Sequence, residues 1–163
     1  MTKIKGVCVG GVIVLVEQII DWYNRNLIAV GEAPKSGYFT LRCALTGRVL
    51  LQCLIGECLN EKAPKYRYFS EEKGKRLFRR RCQGLSEISS WQSKDDDANQ
   101  YAGAIYISGF ILSFSGLPEL ADEAVMLCLA KKTGWAKPEE IAEIVAISEN
   151  PVYSQLKVFG LAG

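Results

Sequence analysis

The chain contains no histidine. Histidine is the commonest general base near neutral pH and a frequent metal ligand, so its absence removes both roles. The sequence also lacks Gly-x-Ser-x-Gly, Gly-x-Gly-x-x-Gly and the phosphate-binding P-loop motif, which are signatures of hydrolases and nucleotide-binding proteins. An enzyme would need another group, such as Cys82 activated by Lys73 or Arg76. A protein without catalytic residues, or with only weak activity, is favoured.

Paired cysteines are also absent, because the six cysteines are scattered without a Cys-x-x-Cys pair. Zinc sites need clustered Cys or His, so no metal site is predicted. Most cysteines lie in apolar runs, where they pack as small hydrophobic residues. We expect reduced, mostly buried thiols in a cytoplasmic protein. With only five prolines and no low-complexity tract, a single ordered domain over residues 1–163 is predicted.

No apolar run is long enough to span a bilayer. The run at 6–16 follows Lys3 and Lys5, which is the order found in a signal peptide, but no small-x-small cleavage site follows it. Since a membrane-spanning helix needs about 20 residues, we predict that this run starts a buried helix. No membrane association is expected.

Periodicity predicts the elements. Apolar residues at helical spacing indicate an amphipathic helix ending near Asn26. Alternation at 38–45 predicts a strand with one buried face, paired in a hairpin with a strand at 49–55. The chain then continues through a helix at 66–81, a mobile connection at 83–100, strands at 101–108 and 111–115, a helix from Pro118 and two short helices from Pro138 and Pro151. This order predicts an α+β fold, with an antiparallel sheet of about four to five strands flanked by helices.

Three stretches carry a family resemblance: Ala102-Gly103-Ala104-Ile105, Phe110-Ile111-Leu112-Ser113-Phe114-Ser115-Gly116 and Asp122-Glu123-Ala124. Together they resemble the haem-binding GlcG/HbpS-like family, which includes the C-terminal domain of some corrinoid adenosyltransferases. Upstream, Leu45-Thr46-Gly47-Arg48-Val49-Leu50 and Lys73-Gly74-Lys75 are similar to the family's hairpin and Lys-Ala helix. The resemblance implies a profilin-like core at about 10–133, and residues 134–163 form a helical extension beyond it. It also implies a homodimer or larger oligomer.

The sequence departs from the family pattern in places that affect the cofactor. Phe110 and Ser113 replace small glycines, and Leu45-Thr46 replaces the family's hairpin Asp. Haem is the ligand that the resemblance implies, but no histidine is available to bind its iron. Cys82 or Tyr101 would have to do so, or no protein ligand at all. We therefore expect no bis-histidine haem spectrum and leave the cofactor open.

One candidate ligand site lies at the turn formed by Ser115, Gly116, Leu117 and Pro118. Free backbone N–H groups at a helix N-terminus bind anions, and Lys73 or Arg76 could add a cation. This would suit a carboxylate or phosphate of a small anionic ligand. In the alternative, Ser115 only caps the helix. Asp122 opposes the anion interpretation, because its own charge uses the same helix dipole.

A second candidate is the basic segment at 62–81, which contains nine Lys or Arg and two Glu. The segment carries +7, so the rest of the chain carries −5 within a total of +2. Interleaved aromatic residues would suit nucleic acid or another anionic partner, with a basic patch of Lys75, Arg79, Arg80 and Arg81. The alternative places Phe69, Leu77 and Phe78 in the core and leaves the charges solvated. A metal site at Asp95-Asp96-Asp97 lacks the spacing of a calcium loop, so a solvated loop is preferred.

Three functions stay open. The first is a small-ligand-binding or structural module that is oligomeric. The second is a protein that binds nucleic acid or another anionic partner, which we do not favour, and the third is a divergent enzyme of the same fold. The apolar tail at 138–161 is the basis for predicting an oligomer, since such surface is usually covered by the domain or by a partner.

Overall fold

A four-stranded antiparallel sheet organises the chain, and the computed structural model describes residues 2–158. A two-stranded hairpin of β1 (Lys3–Ile4) and β2 (Val7–Cys8) leads into α1 (Val9–Asn26). The remaining elements are β3 (Gly37–Cys43), β4 (Val49–Ile55), α2 (Ala63–Cys82), β5 (Ala104–Ile107), β6 (Phe110–Ser115), α3 (Glu119–Lys132), α4 (Pro138–Ser148) and α5 (Pro151–Val158). The predicted α+β class is confirmed.

The strands are ordered β4-β3-β6-β5, and all neighbours are antiparallel. Two hairpins therefore lie side by side, joined through β3 and β6. Two strands are shorter than predicted. β3 stops at Cys43 because residues 44–46 already form the turn. β5 starts only at Ala104, since Gly103 has a φ of +123° that breaks the extended backbone before it.

Helices cover both faces of the sheet, which corrects the prediction that β3 has one buried face. α1 and α3 pack on one face, and α2 packs on the other. On the α2 side Thr40 is fully buried, and its hydroxyl lies 3.0 Å from that of Ser70. Ser113 donates to the carbonyl of Ser70 at 2.8 Å. Small hydroxyl side chains thus form a polar layer under α2, and they can be buried there because each has a hydrogen-bond partner.

The middle of the segment at 83–100, around Ser89 and Ser90, is packed against the domain, in contrast to the mobile connection that was predicted. A 3₁₀ helix at Ser90–Ser93 starts with a capping box between Ser89 and Gln92. The hydroxyl of Ser89 donates to the buried carboxylate of Glu123 at 2.5 Å. Its polar composition suggested a loop, but these polar side chains bond to groups inside the protein.

The C-terminal helices pack against α3, so the same chain covers the apolar side of the tail. Ile144, Tyr153 and Leu156 are buried in the main core. Asn150 accepts hydrogen bonds from the N–H groups of Val152 and Tyr153, which confirms it as the cap of α5. This packing removes the reason for which an oligomer was predicted, as far as residue 156; the side chains of 157–161 lie outside the described part of the chain.

Glu123 joins the tail to the rest of the domain. It is fully buried and accepts from Ser89, Ser148 and Asn150. Burial raises the pKa of this carboxyl, while the three hydrogen bonds act in the opposite direction.

The start of α1 differs from expectation, since the helix begins at Val9 after the short hairpin. Among the described residues, no helix is both long and apolar enough to cross a membrane.

We predict that Asn150→Ala lowers the free energy of unfolding by about 2 kcal/mol, because it removes a helix cap and leaves buried groups without partners. Ser154→Ala, on the exposed side of α5, should change stability by less than about 0.5 kcal/mol. Urea unfolding of both variants measures the difference. Equal effects of the two substitutions would contradict this packing of the tail.

Candidate ligand-binding site at the end of the sheet

A cavity of about 660 Å³ opens between α2, the segment at 94–101 and the turn from β6 to α3. Its volume lies within the range of small-molecule sites, which is about 300–1,000 Å³. Tyr66, Phe69 and Tyr101 contribute aromatic side chains to its lining, and Lys73 and Asp122 also reach it. The rings of Phe69 and Tyr101 meet edge to face, with centroids 5.4 Å apart. Aromatic and charged groups therefore share one concave surface.

Lys73 and Asp122 form an ion pair at this cavity. The Nζ of Lys73 lies 2.7 Å from Oδ2 of Asp122, and it also donates to the carbonyl of Phe114 at 2.9 Å. Both side chains are only 2% exposed. The bond joins α2 to α3 past the end of β6. Gly103 leaves room for it, because a Cβ at that position would lie 2.7 Å from the Nζ of Lys73.

Asp122 also holds the turn that leads into α3. Its Oδ1 accepts the backbone N–H of Leu117 at 2.9 Å. Burial raises the pKa of Asp122 to about 7, while Lys73 and the Leu117 N–H act to lower it. Because folding raises this pKa from 3.8, the folded state binds the proton more tightly than the unfolded chain. The group's contribution to stability therefore falls as pH rises from about 4 to about 7.

Ion pairs also line the mouth of the cavity. Lys94 donates to Glu119 and lies 3.4 Å from Asp96. The second carboxylate oxygen of Glu119 accepts the N–H of Ala102 at 3.0 Å. Lys65, by contrast, is exposed at the mouth and forms no ion pair within residues 2–158. It is the lining cation that is free to meet an anion from solution.

Three of the four predicted ligand residues line this cavity, namely Ser115, Gly116 and Lys73. Ser115 belongs to β6 and pairs with Tyr38. The cap position of α3 is Pro118, with no side-chain cap, so the interpretation of Ser115 as a helix cap is wrong. The N–H of Leu117, which was expected to be free for an anion, is bound by Asp122.

Glycine is required at the turn after β6. Gly116 has a φ of +148°, and a Cβ there would lie 2.0 Å from the carbonyl oxygen of Ser36. The backbone of this turn therefore lies against the chain just before β3, which leaves no space for a side chain. The close approach brings the Ser115–Gly116 backbone to the lining of the cavity.

Arg76 does not reach the cavity lining. Its guanidinium bonds to Glu72 at 2.6 Å, to the hydroxyl of Ser93 at 2.9 Å and to the carbonyl of Tyr101 at 2.5 Å. These contacts hold the segment at 90–101 against α2. Arg76 therefore shapes one wall of the cavity from behind, and we assign it no direct contact with a ligand.

Cys82 lies at the other end of α2, in a separate cavity with Arg81 and Tyr106. It follows Lys73 by nine residues, which is a rise of roughly 14 Å along a helix. Lys73 therefore cannot activate this thiol, and the cysteine-based enzyme hypothesis loses that support. Tyr101, the other candidate iron ligand, does line the main cavity, and its hydroxyl donates to Asn99 at 3.0 Å.

The basic patch is partly neutralised by its own surroundings. Arg80 makes two bonds of 2.6 Å to Glu87. The guanidinium of Arg81 lies 3.4 Å from the ring centroid of Tyr106 and also donates to the carbonyl of Glu87. Within residues 2–158, Lys75 and Arg79 are the patch residues that are exposed and form no ion pair. Nucleic-acid binding relies on many phosphate contacts, and two unpaired cations in this patch can supply only a few of them.

The acidic run at 95–97 forms a local turn. Oδ1 of Asp95 accepts the N–H groups of Asp97 and Ala98 at 3.1 and 3.3 Å. In the described part of the chain, no group of three or more Cys, Asp or Glu side chains is arranged to hold a metal ion. The solvated turn is the arrangement that these contacts support.

Sequence reasoning did not find the pairing of Asp122 with Lys73, nor the contributions of Phe69 and Lys94 to the cavity. The two paired residues are 49 positions apart, and no sequence motif links the two positions. The usable signal was Asp122, which lies with Glu119 in the first turn of α3. An acidic residue there was interpreted as a partner for the helix dipole, which explains its bond to Leu117 and misses the lysine.

We predict that Lys73→Met lowers the free energy of unfolding by about 3 kcal/mol, because it leaves the ionised carboxylate of Asp122 buried and unpaired at pH 8. Asp122→Asn should cost less, since burial already favours the neutral form of this group, and the double variant should lose less than Lys73→Met alone. Urea unfolding at pH 8 measures all four proteins. Arg67→Met breaks an exposed ion pair of the same helix and should cost less than about 1 kcal/mol. Additive losses in the double variant would show that the two charges are not coupled.

No family model matches the chain, and searches of the curated proteins and of the solved structures found no match. The relation to GlcG/HbpS-like proteins therefore stays a prediction from the sequence.

Proposed function

We propose that this protein binds a small organic anion with a flat, unsaturated body in the cavity beside Lys73 and Asp122. The observation that carries the proposal is the buried ion pair at the cavity surface. A buried ion pair is a weak means of stabilising a fold, because removing two charges from water can cost more than their attraction returns. Buried charged groups with shifted pKa values in a concave site are typical of functional sites.

The aromatic lining supports the flat body of the ligand. Tyr66, Phe69 and Tyr101 offer ring faces and edges, which stack on unsaturated molecules. None of them lies deep in the core, so their rings are accessible from the cavity. Apolar contact of this kind supplies affinity, and the polar groups of the cavity then set the orientation.

The cations support an acidic group on the ligand. Lys73 has three N–H donors, of which Asp122 and the Phe114 carbonyl occupy two. Lys65 stands exposed at the mouth. When Asp122 takes up a proton, the charge of Lys73 is no longer balanced, so affinity for an anion should rise as pH falls through about 7. A carboxylate is the simplest group that fits both lysines.

The family resemblance supports the same class of ligand, since haem is a flat, unsaturated dicarboxylate. Of the two candidate iron ligands considered from sequence, Tyr101 lines this cavity, together with a second phenol on Tyr66, and Cys82 lies in a different cavity. A phenolate ligand occurs in other haem proteins. Lys73, Lys65 and the aromatic walls would act on the porphyrin and its carboxylates with or without iron, so the proposal does not depend on the metal.

We predict that protoporphyrin IX, a flat dicarboxylate without iron, binds the protein and that Phe69→Ala weakens binding about tenfold through the loss of ring contact. Tyr68→Ala is the matched control, because Tyr68 is the neighbouring aromatic on α2 but is 62% exposed and outside the cavity. Fluorescence titration gives the dissociation constants.

Benzoate and a non-aromatic dicarboxylate such as succinate serve as comparison ligands in a thermal-shift assay. Stabilisation by succinate alone would favour an anion site without aromatic recognition. If none of the three molecules binds, or if Phe69→Ala binds protoporphyrin IX as tightly as wild type, the proposed function is wrong.

A further inference from the structure

The two edges of the main sheet differ in how they are covered. At the β5 edge, Ser89 forms a bridge with Ile105, and the N–H of Tyr106 donates to the carbonyl of Ile88 at 2.9 Å. The segment at 88–89 thus protects that edge. At the opposite edge, β4 pairs with β3 alone, and within residues 2–158 no strand or bridge covers its outer side. One edge of the sheet is closed and the other is open.

The open edge carries few of the features that usually prevent association. β4 reads Val-Leu-Leu-Gln-Cys-Leu-Ile, without a charge or a proline. Natural proteins protect free edges with short strands, lysines, prolines or bulges. β4 has seven residues. Its pairing with β3 is regular from Leu51 to Ile55, and a bulge at Leu50 is the one protective feature that it carries. An open strand of this kind readily takes another strand.

Apolar side chains flank the edge on both faces. Val49, Leu50 and Leu54 are 37%, 41% and 40% exposed. On the face that α1 covers, Val14 is 48% exposed and lines a groove with Ile55. Apolar groups next to unpaired backbone donors and acceptors supply both parts of a strand-to-strand interface.

The charges at the two ends of β4 point to a second copy of this chain as the partner. Arg48 precedes the strand and Glu57 follows it closely, and both are exposed. Neither forms an ion pair in the described part of the chain. Antiparallel pairing of β4 with its own copy brings the Arg48 end of each strand to the Glu57 end of the other. A two-fold contact is self-complementary in this way.

We infer that two copies of this chain pair antiparallel through β4 and form one continuous eight-stranded sheet. If the two-fold axis passes at Gln52, Leu50 lies opposite Leu54 of the second copy, so the exposed leucines cover each other. This inference is independent of the ligand proposal, because the cavity shares no lining residue with β4. A failed ligand test leaves it unaffected.

The experiment measures the mass of the full chain by sedimentation velocity from about 1 to about 100 µM, a range in which weak dimers dissociate. Wild type should sediment as a dimer of twice 18.0 kDa at the upper end. Leu54→Lys should weaken dimerisation at least about tenfold, because it places charge in an apolar contact. Leu85→Lys is the control, since Leu85 has a matching exposure of 42% and lies outside β4.

A charge exchange tests the antiparallel pairing itself. Arg48→Glu should weaken the dimer, and adding Glu57→Arg should restore it, since both positions are exposed and the double variant only swaps the charges. Circular dichroism confirms that each variant is folded. A monomeric wild type overturns the inference, and so does a dimer that Leu54→Lys leaves intact or that Leu85→Lys weakens equally. If the double variant dimerises no better than Arg48→Glu alone, the antiparallel pairing is wrong.

Discussion

The ion pair between Lys73 and Asp122 is the constraint on which the rest of the structure depends. Two opposite charges lie 2.7 Å apart and almost entirely out of water, and this arrangement is tolerable only while both partners stay in place. α2 must cross the sheet at a height that brings Lys73 to the end of β6, and α3 must start where Asp122 can also hold Leu117. Gly103 leaves the space that the pair requires, and Gly116 lets the turn after β6 lie against Ser36. The cavity lies where these elements meet.

The same constraint changes how the basic helix is to be understood. Four of its nine basic residues, Arg67, Lys73, Arg76 and Arg80, are engaged in ion pairs. The composition of α2 suggests a surface for polyanions. The helix nevertheless packs on one face of the sheet and uses four of its basic residues in ion pairs within the protein. Its bonds from Arg76 order the segment at 90–101, which in turn supplies Tyr101 to the ligand cavity. Two of these charges, on Lys73 and Arg76, help to build the site, while Lys65 stays exposed at its mouth.

Local signals predicted much of the fold, and contacts between distant residues account for what they missed. Helical spacing placed the end of α1 at Asn26, and the Asn150–Pro151 pair predicted the start of α5 with its cap. Both depend on neighbours in sequence. The covering of β3 by α2 depends on hydroxyl pairs such as Thr40 with Ser70, for which alternation along one strand gives no sign. For the site, three of the four proposed ligand residues line one cavity, but the partner of Lys73 is 49 residues away and was not predicted.

A carbon-13 NMR titration of the Asp122 side-chain carboxyl tests the central claim most directly, with Asp122→Asn used to assign its signal. The account predicts that this carboxyl titrates near pH 7, because burial outweighs the attraction of Lys73. The Nζ protons of Lys73 should also be protected from exchange with water at neutral pH. A carboxyl that titrates near its ordinary value of 3.8, with rapidly exchanging Nζ protons, would show that the pair is open to solvent and would contradict the account.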